Sequence, residues 1–168
     1  MSATISLSPQ TQAAVEVCKK NLHMCTHRLK TTFSFVPDDK LDYRPAETCK
    51  SAVQIIAHCA ISNYNFISII KGEMGDGDPS ERFAESKRRE EAITTKAAAL
   101  EALEASVQAV SDALDTVNDE NIGIDIPTPF FTAPMMFWMY LPARHMDNHA
   151  SQIDYLQTIW GDLDWHMG

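Results

Sequence analysis

The chain alternates between long segments with apolar residues at helical spacing and short segments rich in glycine, proline and aspartate. The first periodic segment runs from Ser8 to about Phe33, with a serine to cap the free amides and a proline in the first turn. The second runs from Ser51 to about Lys71, and Gln54 is placed to complete a capping box. The pattern therefore predicts two long helices joined by an ordered connection over residues 41–50.

Two further helices follow in the second half of the chain. The third begins at Thr94 or Thr95, and its apolar residues recur at three- and four-residue intervals: Leu100, Leu103, Val107, Val110, Leu114 and Val117. The fourth runs from about Pro134 to Trp160 and is followed by Gly161, a typical left-handed terminator. We expect Pro142 to kink this helix.

The segments between these helices decide the fold class. Gly72–Pro79 reads as a loop, Glu81–Ile93 as polar and partly helical, and Ile122–Ile126 is the one short strand candidate. A helix of about 20 residues is roughly 30 Å long, a distance that residues 72–93 can recross, so the second and third helices can run parallel. The sequence predicts an all-α fold, a four-helix bundle with up-down-down-up topology, in a single domain spanning residues 1–168.

Composition and charge limit the partners. With 168 residues, 45% hydrophobic residues, 22% charged residues and a formal net charge of -9, the chain is typical of a soluble globular protein and not of a nucleic-acid-binding one. Glu90 and Glu91 directly follow the basic run Lys87–Arg89, which indicates a solvated helix face. No secretion signal is evident in Met1–Pro9, and the run Ile55–Ile70 falls short of a membrane span. We expect no membrane association and a cytoplasmic location.

The second helix carries no formal charge between Ala52 and Ile70. Such a helix must be buried on nearly all sides, in a bundle centre or at a subunit interface, and this suggests a homodimer. Four cysteines are present without close C-x-x-C spacing, so we expect buried free thiols in place of disulfides or a zinc ribbon.

Three histidines carry the candidate chemistry. His145 and His149 are four residues apart and share one face of the fourth helix, whereas Asp147, Ser151 and Asp154 lie on a stripe expected to face water. His58 interrupts an apolar run of the second helix, where a ring without partners would cost about 1–3 kcal/mol. Three neutral imidazoles could hold a divalent ion such as zinc, nickel or iron and leave a coordination position open. The alternative is that all three are core histidines with hydrogen-bond partners.

Other residues are weaker candidates. His23 and His27 repeat the four-residue spacing among lysines and arginines, which favours an exposed stripe, and His166 receives no role. The apolar run Met135–Tyr140 could line a ligand pocket but more often forms core. Neither a phosphate loop nor a dinucleotide fingerprint occurs in the sequence.

The sequence resembles the DinB/YfiT-like superfamily of metalloenzymes. The segments that carry the resemblance are Pro37–Pro45, Ser51–His58 and His145–Leu156, followed by Gly161. The resemblance implies an up-down-down-up bundle, often dimeric, in which His58, His145 and His149 hold a divalent metal. It also implies activity on a small-molecule substrate with a low-molecular-weight thiol, such as bacillithiol or mycothiol, as co-substrate.

Three functions therefore stay open. The first is a metal-dependent transferase in which a bound thiol becomes a thiolate. The second is a metal-dependent hydrolase, which needs a general base near the bound water, and the sequence shows no obvious one. The third is a dimeric metal- or ligand-binding stress protein without catalytic turnover.

Overall fold

The computed structural model describes residues 7–75 and 77–166, so the expectation about a secretion signal falls mostly on residues outside the described part. The described chain is mostly helical, and the predicted all-α class is confirmed. A short 3-10 turn, Asp38–Lys40, separates the first two helices. The longer elements are α1 Pro9–Ser34, α2 Ala52–Ile70, α3 Pro79–Glu91, α4 Lys96–Leu114, β1 Asp125–Pro127, β2 Thr132–Pro134 and α5 Met135–Ile159.

The predicted helix boundaries are confirmed by their caps. The Ser8 side chain accepts a hydrogen bond from the Thr11 amide at the start of α1. At the start of α2, the Ser51 hydroxyl accepts from the Gln54 amide, and the Gln54 side chain accepts from the Ser51 amide at 3.0 Å. Gly161 follows α5 with φ at 91°, a backbone conformation that favours glycine. Local hydrogen bonds of this kind are readable from sequence because they join residues only three positions apart.

Two elements differ from the sequence-based expectation. Residues 79–91 form a complete helix, α3, in which Asp78 caps the Ser80 amide, although none of its residues is fully buried. Apolar periodicity does not detect such a helix, because it packs on α2 with few large apolar side chains. The strand candidate Ile122–Ile126 also extends further, since β1 pairs antiparallel with β2 and brings Ile126 opposite Ala133.

Side-chain contacts between helices give their relative directions. The contacts show that α1 and α5 run parallel. They also show that α1 and α4, and likewise α2 and α5, run antiparallel. The pairs are Thr26–Met146 and Thr32–Gln157 for α1 and α5, Lys19–Asp115 and Ser34–Lys96 for α1 and α4, and His58–His149 and Phe66–His145 for α2 and α5. These pairings support an up-down-down-up order of the four long helices, with α3 as an added fifth.

α2 occupies the centre of the molecule and packs against α3, α4 and α5. By length and composition it could cross a membrane, so the expectation that this run falls short of a span is wrong on those two criteria. Half of its most apolar window is nonetheless buried inside the structure, as in a core helix.

The four cysteines are free as expected, with Cys18 and Cys59 buried and Cys25 and Cys49 partly buried. α5 continues through the buried Pro142, and a kink there stays a prediction.

Candidate metal centre

The three imidazoles selected from the sequence meet in space. His145 and His149 lie one turn apart on α5, and His58 approaches them from α2. One ring nitrogen from each lies within 4.8 Å of the other two. The ring centroids are 4.5 Å apart for His145 and His149, and 5.0 and 5.1 Å apart for the two pairs that include His58. The structure thus forms the three-histidine cluster, while its binding of a metal stays a prediction.

The hydrogen bonds of the rings orient the nitrogens for a common ligand. Nδ1 of His149 donates to Oε1 of Gln152 at 2.7 Å, and Nδ1 of His58 donates to Oε1 of Glu90 at 2.8 Å. Each bond leaves the Nε2 lone pair of that ring free. This arrangement is typical of metal-bound histidines, whose second nitrogen donates to a carbonyl or carboxylate oxygen.

The spacing of the nitrogens also fits a metal ion. Nε2 of His145 lies 3.2 Å from Nε2 of His149. Two nitrogens bound tetrahedrally to zinc at about 2.0–2.1 Å are about 3.3 Å apart. Nδ1 of His145 is buried and has no hydrogen-bond partner among the described residues, so that ring is not satisfied as a simple core histidine. The donor set therefore suits a divalent ion such as zinc, nickel or iron.

Glu90 is the site residue that sequence reasoning missed. The sequence predicts that it continues a solvated face, yet its side chain is only 16% exposed and binds both His58 and Lys50, the latter at 3.1 Å. The preceding basic run is exposed as predicted. Recognising 79–91 as a complete helix would have identified Glu90, because Arg82, Ser86 and Glu90 then share one face at four-residue intervals.

Burial and neighbouring rings favour the neutral forms of His145 and His149. Burial, followed by the adjacent His149 and His58 rings, lowers the pKa of His145 from 6.5 to about 3, because a charged imidazole would lose water and repel another charged ring. Burial also lowers the pKa of His149, against the opposing hydrogen bond to Gln152. Burial alone would raise the pKa of Glu90, but His58 and Lys50 outweigh it and lower the pKa. The neutral forms of His145 and His149 are the ones that can bind a metal.

The other histidines lie away from the cluster. His23 and His27 are exposed on α1, as their surroundings predict. His166 stacks on the Phe35 ring at a centroid distance of 4.1 Å and contacts Asp162 at 2.8 Å, so it packs against the end of α1. The run Met135–Tyr140 contributes both to the core and to a ligand-sized pocket. Several of its residues are buried in the core, and Trp138 lines a cavity.

That cavity, of about 340 Å³, lies beside the histidine cluster between α2, α3, α5 and the turn joining β1 to β2. The edge of the Phe66 ring, which lines it, packs on the ring of His145 at a centroid distance of 5.4 Å. A cleft of this size with apolar walls is typical of small-molecule sites.

Comparison with known proteins agrees with this geometry. The chain resembles the mycothiol-dependent maleylpyruvate isomerase in fold, with a TM-score of 0.67 and 18% identity over 83% of this chain, and spans 60% of the length of that protein. It also resembles a DinB-like protein from Bacillus subtilis, YjoA, with a TM-score of 0.63 and 15% identity over 89% of this chain and 96% of that one. No significant match was found among curated protein sequences. The model of the DinB superfamily matches residues 21–153, most of the sequence, and the chain therefore belongs to the DinB superfamily.

Proposed function

We propose that this protein is a metal-dependent enzyme of one domain, in which His58, His145 and His149 hold a divalent ion and a low-molecular-weight thiol is a co-substrate. The observation that carries the proposal is the convergence of three imidazoles beside a cavity with largely apolar walls. Family membership supports the metal, and the fold likeness to an isomerase that depends on mycothiol supports the thiol. An ion in this site would act as a Lewis acid and lower the pKa of a thiol bound to it.

The chain's own residues have separate tasks in this proposal. Glu90 and Gln152 hold the rings of His58 and His149 with Nε2 turned toward the cluster. Burial keeps His145 neutral, so a proton does not compete with the ion at neutral pH. The apolar cavity walls exclude water from the neighbouring space, which protects a thiolate from rapid reprotonation.

The overall reaction balances as a transfer to sulfur. A thiol R–SH and an electrophile R′–X would give R–S–R′ and HX: the carbon–sulfur bond forms, and the carbon–X bond breaks with its electron pair leaving on X. The thiol proton ends on X. Hydrolysis is less well supported, because Glu90, the carboxylate that contacts the cluster, is already engaged by His58 and Lys50 and is not free to activate water.

Metal analysis tests the proposal directly. Untagged protein, dialysed without chelator, should contain about one divalent ion per chain. Three histidines bind an ion tightly when neighbouring side chains hold their rings in place, as Glu90 and Gln152 do here. His149→Ala should lose the ion, whereas the matched control His27→Ala, on the exposed α1 stripe, should retain it. With cobalt as the probe metal, a bacillithiol- or mycothiol-type thiol should add a sulfur-to-metal charge-transfer band. Metal-free protein after reconstitution would refute the metal enzyme and favour a binding protein.

The homodimer stays a prediction. α3, α4 and α5 pack on the charge-free α2 within one chain, and half of its most apolar window is buried there, so one chain already covers part of this helix. Sedimentation equilibrium of the metal-loaded protein tests the dimer, and a single species of the 18.8 kDa monomer mass would contradict it.

A further inference from the structure

Five aromatic rings, those of Phe66, Phe83, Phe130, Phe131 and Trp138, line the cavity beside the cluster. Phe131 stacks on Trp138 at a centroid distance of 5.3 Å and an angle of 15°, and Phe83 packs edge-on against Phe130 at 5.7 Å. Phe130 is 66% exposed and Phe131 is 48% exposed, so the mouth presents apolar rings to water. Clustered exposed aromatic rings mark surfaces that an apolar ligand covers.

Three helices connect this cavity to the histidines. On α2, Ser62 and Phe66 line the cavity at four-residue steps from His58. On α5, Trp138 and Leu141 line it, and His145 follows one turn later. Residues at these spacings share a helix face, so both walls lead continuously from the cavity to the cluster.

The third wall is α3, which repeats the same arrangement. Arg82 and Ser86 line the cavity, and Glu90, at the next four-residue step, binds His58. A molecule lying in the cavity would therefore extend from the exposed rings toward the histidines. Its inner end would lie against Phe66, whose ring contacts His145.

The polar groups of the lining add one selective feature. Most of them are neutral hydroxyls and amides, and Arg82 is the charged lining residue in the described part of the chain. Arg82 donates to the carbonyl oxygens of Met74 and Gly77, which hold its guanidinium in place near the mouth. A guanidinium has five N–H donors, so donors remain for an acidic group on a ligand.

Building on the proposed function, we infer that this cavity binds the electrophilic co-substrate, and that this co-substrate has a flat, ring-containing apolar body with one acidic group placed beside Arg82. The aromatic walls match an apolar ring by stacking, which is worth about 0.5–1.5 kcal/mol per ring pair beyond burial. The polar, hydrogen-bonding body of a low-molecular-weight thiol matches these rings poorly, because polar groups that lie against them would lose water without gaining hydrogen bonds there. The thiol therefore reaches the cluster from outside this cavity.

Two fluorescent probes that differ by one acidic group test this inference. They are 1-anilinonaphthalene-8-sulfonate, which is anionic, and N-phenyl-1-naphthylamine, its neutral counterpart. Both should bind wild-type protein, with or without metal, at one site per chain. Ser86→Trp fills the cavity and should weaken both probes at least about tenfold, by loss of stacking and burial. The matched control Ala84→Trp, on an exposed position of α3, should leave both dissociation constants within about twofold of wild type.

Arg82→Gln separates the role of charge. It should weaken the sulfonate probe about five- to tenfold and leave the neutral probe unchanged. Phe131→Ala provides a second lining variant if Ser86→Trp does not fold, and it should weaken both probes severalfold. Equal binding to wild type and to the folded lining variants would overturn the cavity assignment, and equal loss of both probes in Arg82→Gln would overturn the acidic group.

The probe measurements distinguish a failure of the cavity assignment from a failure of the proposed metal enzyme. Probe binding does not require an ion, so a protein that takes up no metal on reconstitution but binds both probes would refute the metal centre and leave the cavity assignment intact. In cobalt-loaded protein, either probe should shift the visible absorption of the ion, since the cavity leads to the cluster. A bound probe with an unchanged cobalt spectrum would overturn the placement of the co-substrate next to the reacting centre.

Discussion

Oε1 of Glu90 lies 2.8 Å from Nδ1 of His58, and this contact joins α3 to the histidine cluster formed by α2 and α5. The same carboxylate contacts Lys50 at 3.1 Å, at the end of the connection that precedes α2. One side chain thus ties a helix with no fully buried residues to the centre of the molecule. In the proposed metal centre, this hydrogen bond would fix the orientation of the His58 ring.

Removing this carboxylate should weaken metal binding without unfolding the protein. Glu90→Ala is expected to lower zinc affinity about 10- to 100-fold, the usual loss when a side chain that orients a ligand histidine is removed. Glu90→Gln should lie between, because the amide oxygen still accepts the hydrogen bond while the charge is lost. A competitive titration with a chromophoric chelator measures this.

Glu91→Ala is the matched control, since Glu91 is the next residue and its side chain is 61% exposed. It should bind zinc like the wild type. Identical zinc affinities for the variants at positions 90 and 91 would mean that Glu90 only attaches α3 to the bundle.

The metal-free protein should become less stable as the pH falls. The folded pKa of His145 is about 3, below its ordinary value of 6.5, mainly because burial disfavours the charged ring. Below pH 6.5 the unfolded chain takes up a proton that the folded chain does not, so stability is fully present above 6.5 and is lost progressively toward 3. The loss at pH 5 should be about 1–2 kcal/mol.

Urea unfolding in the presence of a chelator, at neutral and mildly acidic pH, measures this loss. His145→Gln should show a shallower dependence on pH, because the depressed group is gone. If the free energy of unfolding of the wild-type protein does not change between neutral and mildly acidic pH, His145 is not buried in its uncharged form.

Arg28 links α1 to α5 through a partly buried network. It binds the carboxylates of Asp147 and Asp154 and the hydroxyl of Ser151. The sequence predicts that this stripe of α5 faces water. Ser151 is exposed, and the Asp147 and Asp154 side chains remain 46% and 40% exposed while they contact α1. Since two carboxylates lose their partner together, Arg28→Met should lower the free energy of unfolding by about 1–3 kcal/mol.

Lys30→Met is the comparison for that network. Lys30 is also on α1, and it pairs only with Glu104, whose side chain is 59% exposed. An exposed pair contributes about 0–1 kcal/mol, so this variant should change little. Equal effects of the two substitutions in urea unfolding would show that the Arg28 network adds nothing beyond a surface ion pair.

Thiol labelling should divide the cysteines by burial. Burial raises the pKa of Cys18 to about 11, and burial followed by the charge of Glu90 raises the pKa of Cys59 well above its ordinary value. Both are buried, so a thiol reagent at mildly alkaline pH should modify partly buried Cys49 in native protein and leave these two unmodified until urea is added. Peptide mass spectrometry identifies the labelled residues, and rapid native labelling of Cys59 would contradict its burial.

Much of the helical framework was readable from sequence. Ser51 with Gln54, Thr95, and Gly161 marked helix ends correctly, because capping depends on contacts within three or four residues. His145 and His149 could be assigned to one face for the same local reason. The apolar surroundings of His58 predicted that it needs a polar partner. Its ring neighbours His145 and His149 lie on α5, but its hydrogen-bond partner, Glu90, lies on α3.

The sequence by itself therefore determined the four long helices, their ends and the choice of the three histidines, since periodicity and capping act over a few residues. Only the tertiary structure decided that Glu90 is a partner of His58, that Asp147 and Asp154 meet Arg28, and that aromatic rings from four separate segments enclose one cavity. The polar contacts among these join residues 32 to 126 positions apart. A polar side chain has the same local sequence pattern whether it faces water or a distant helix.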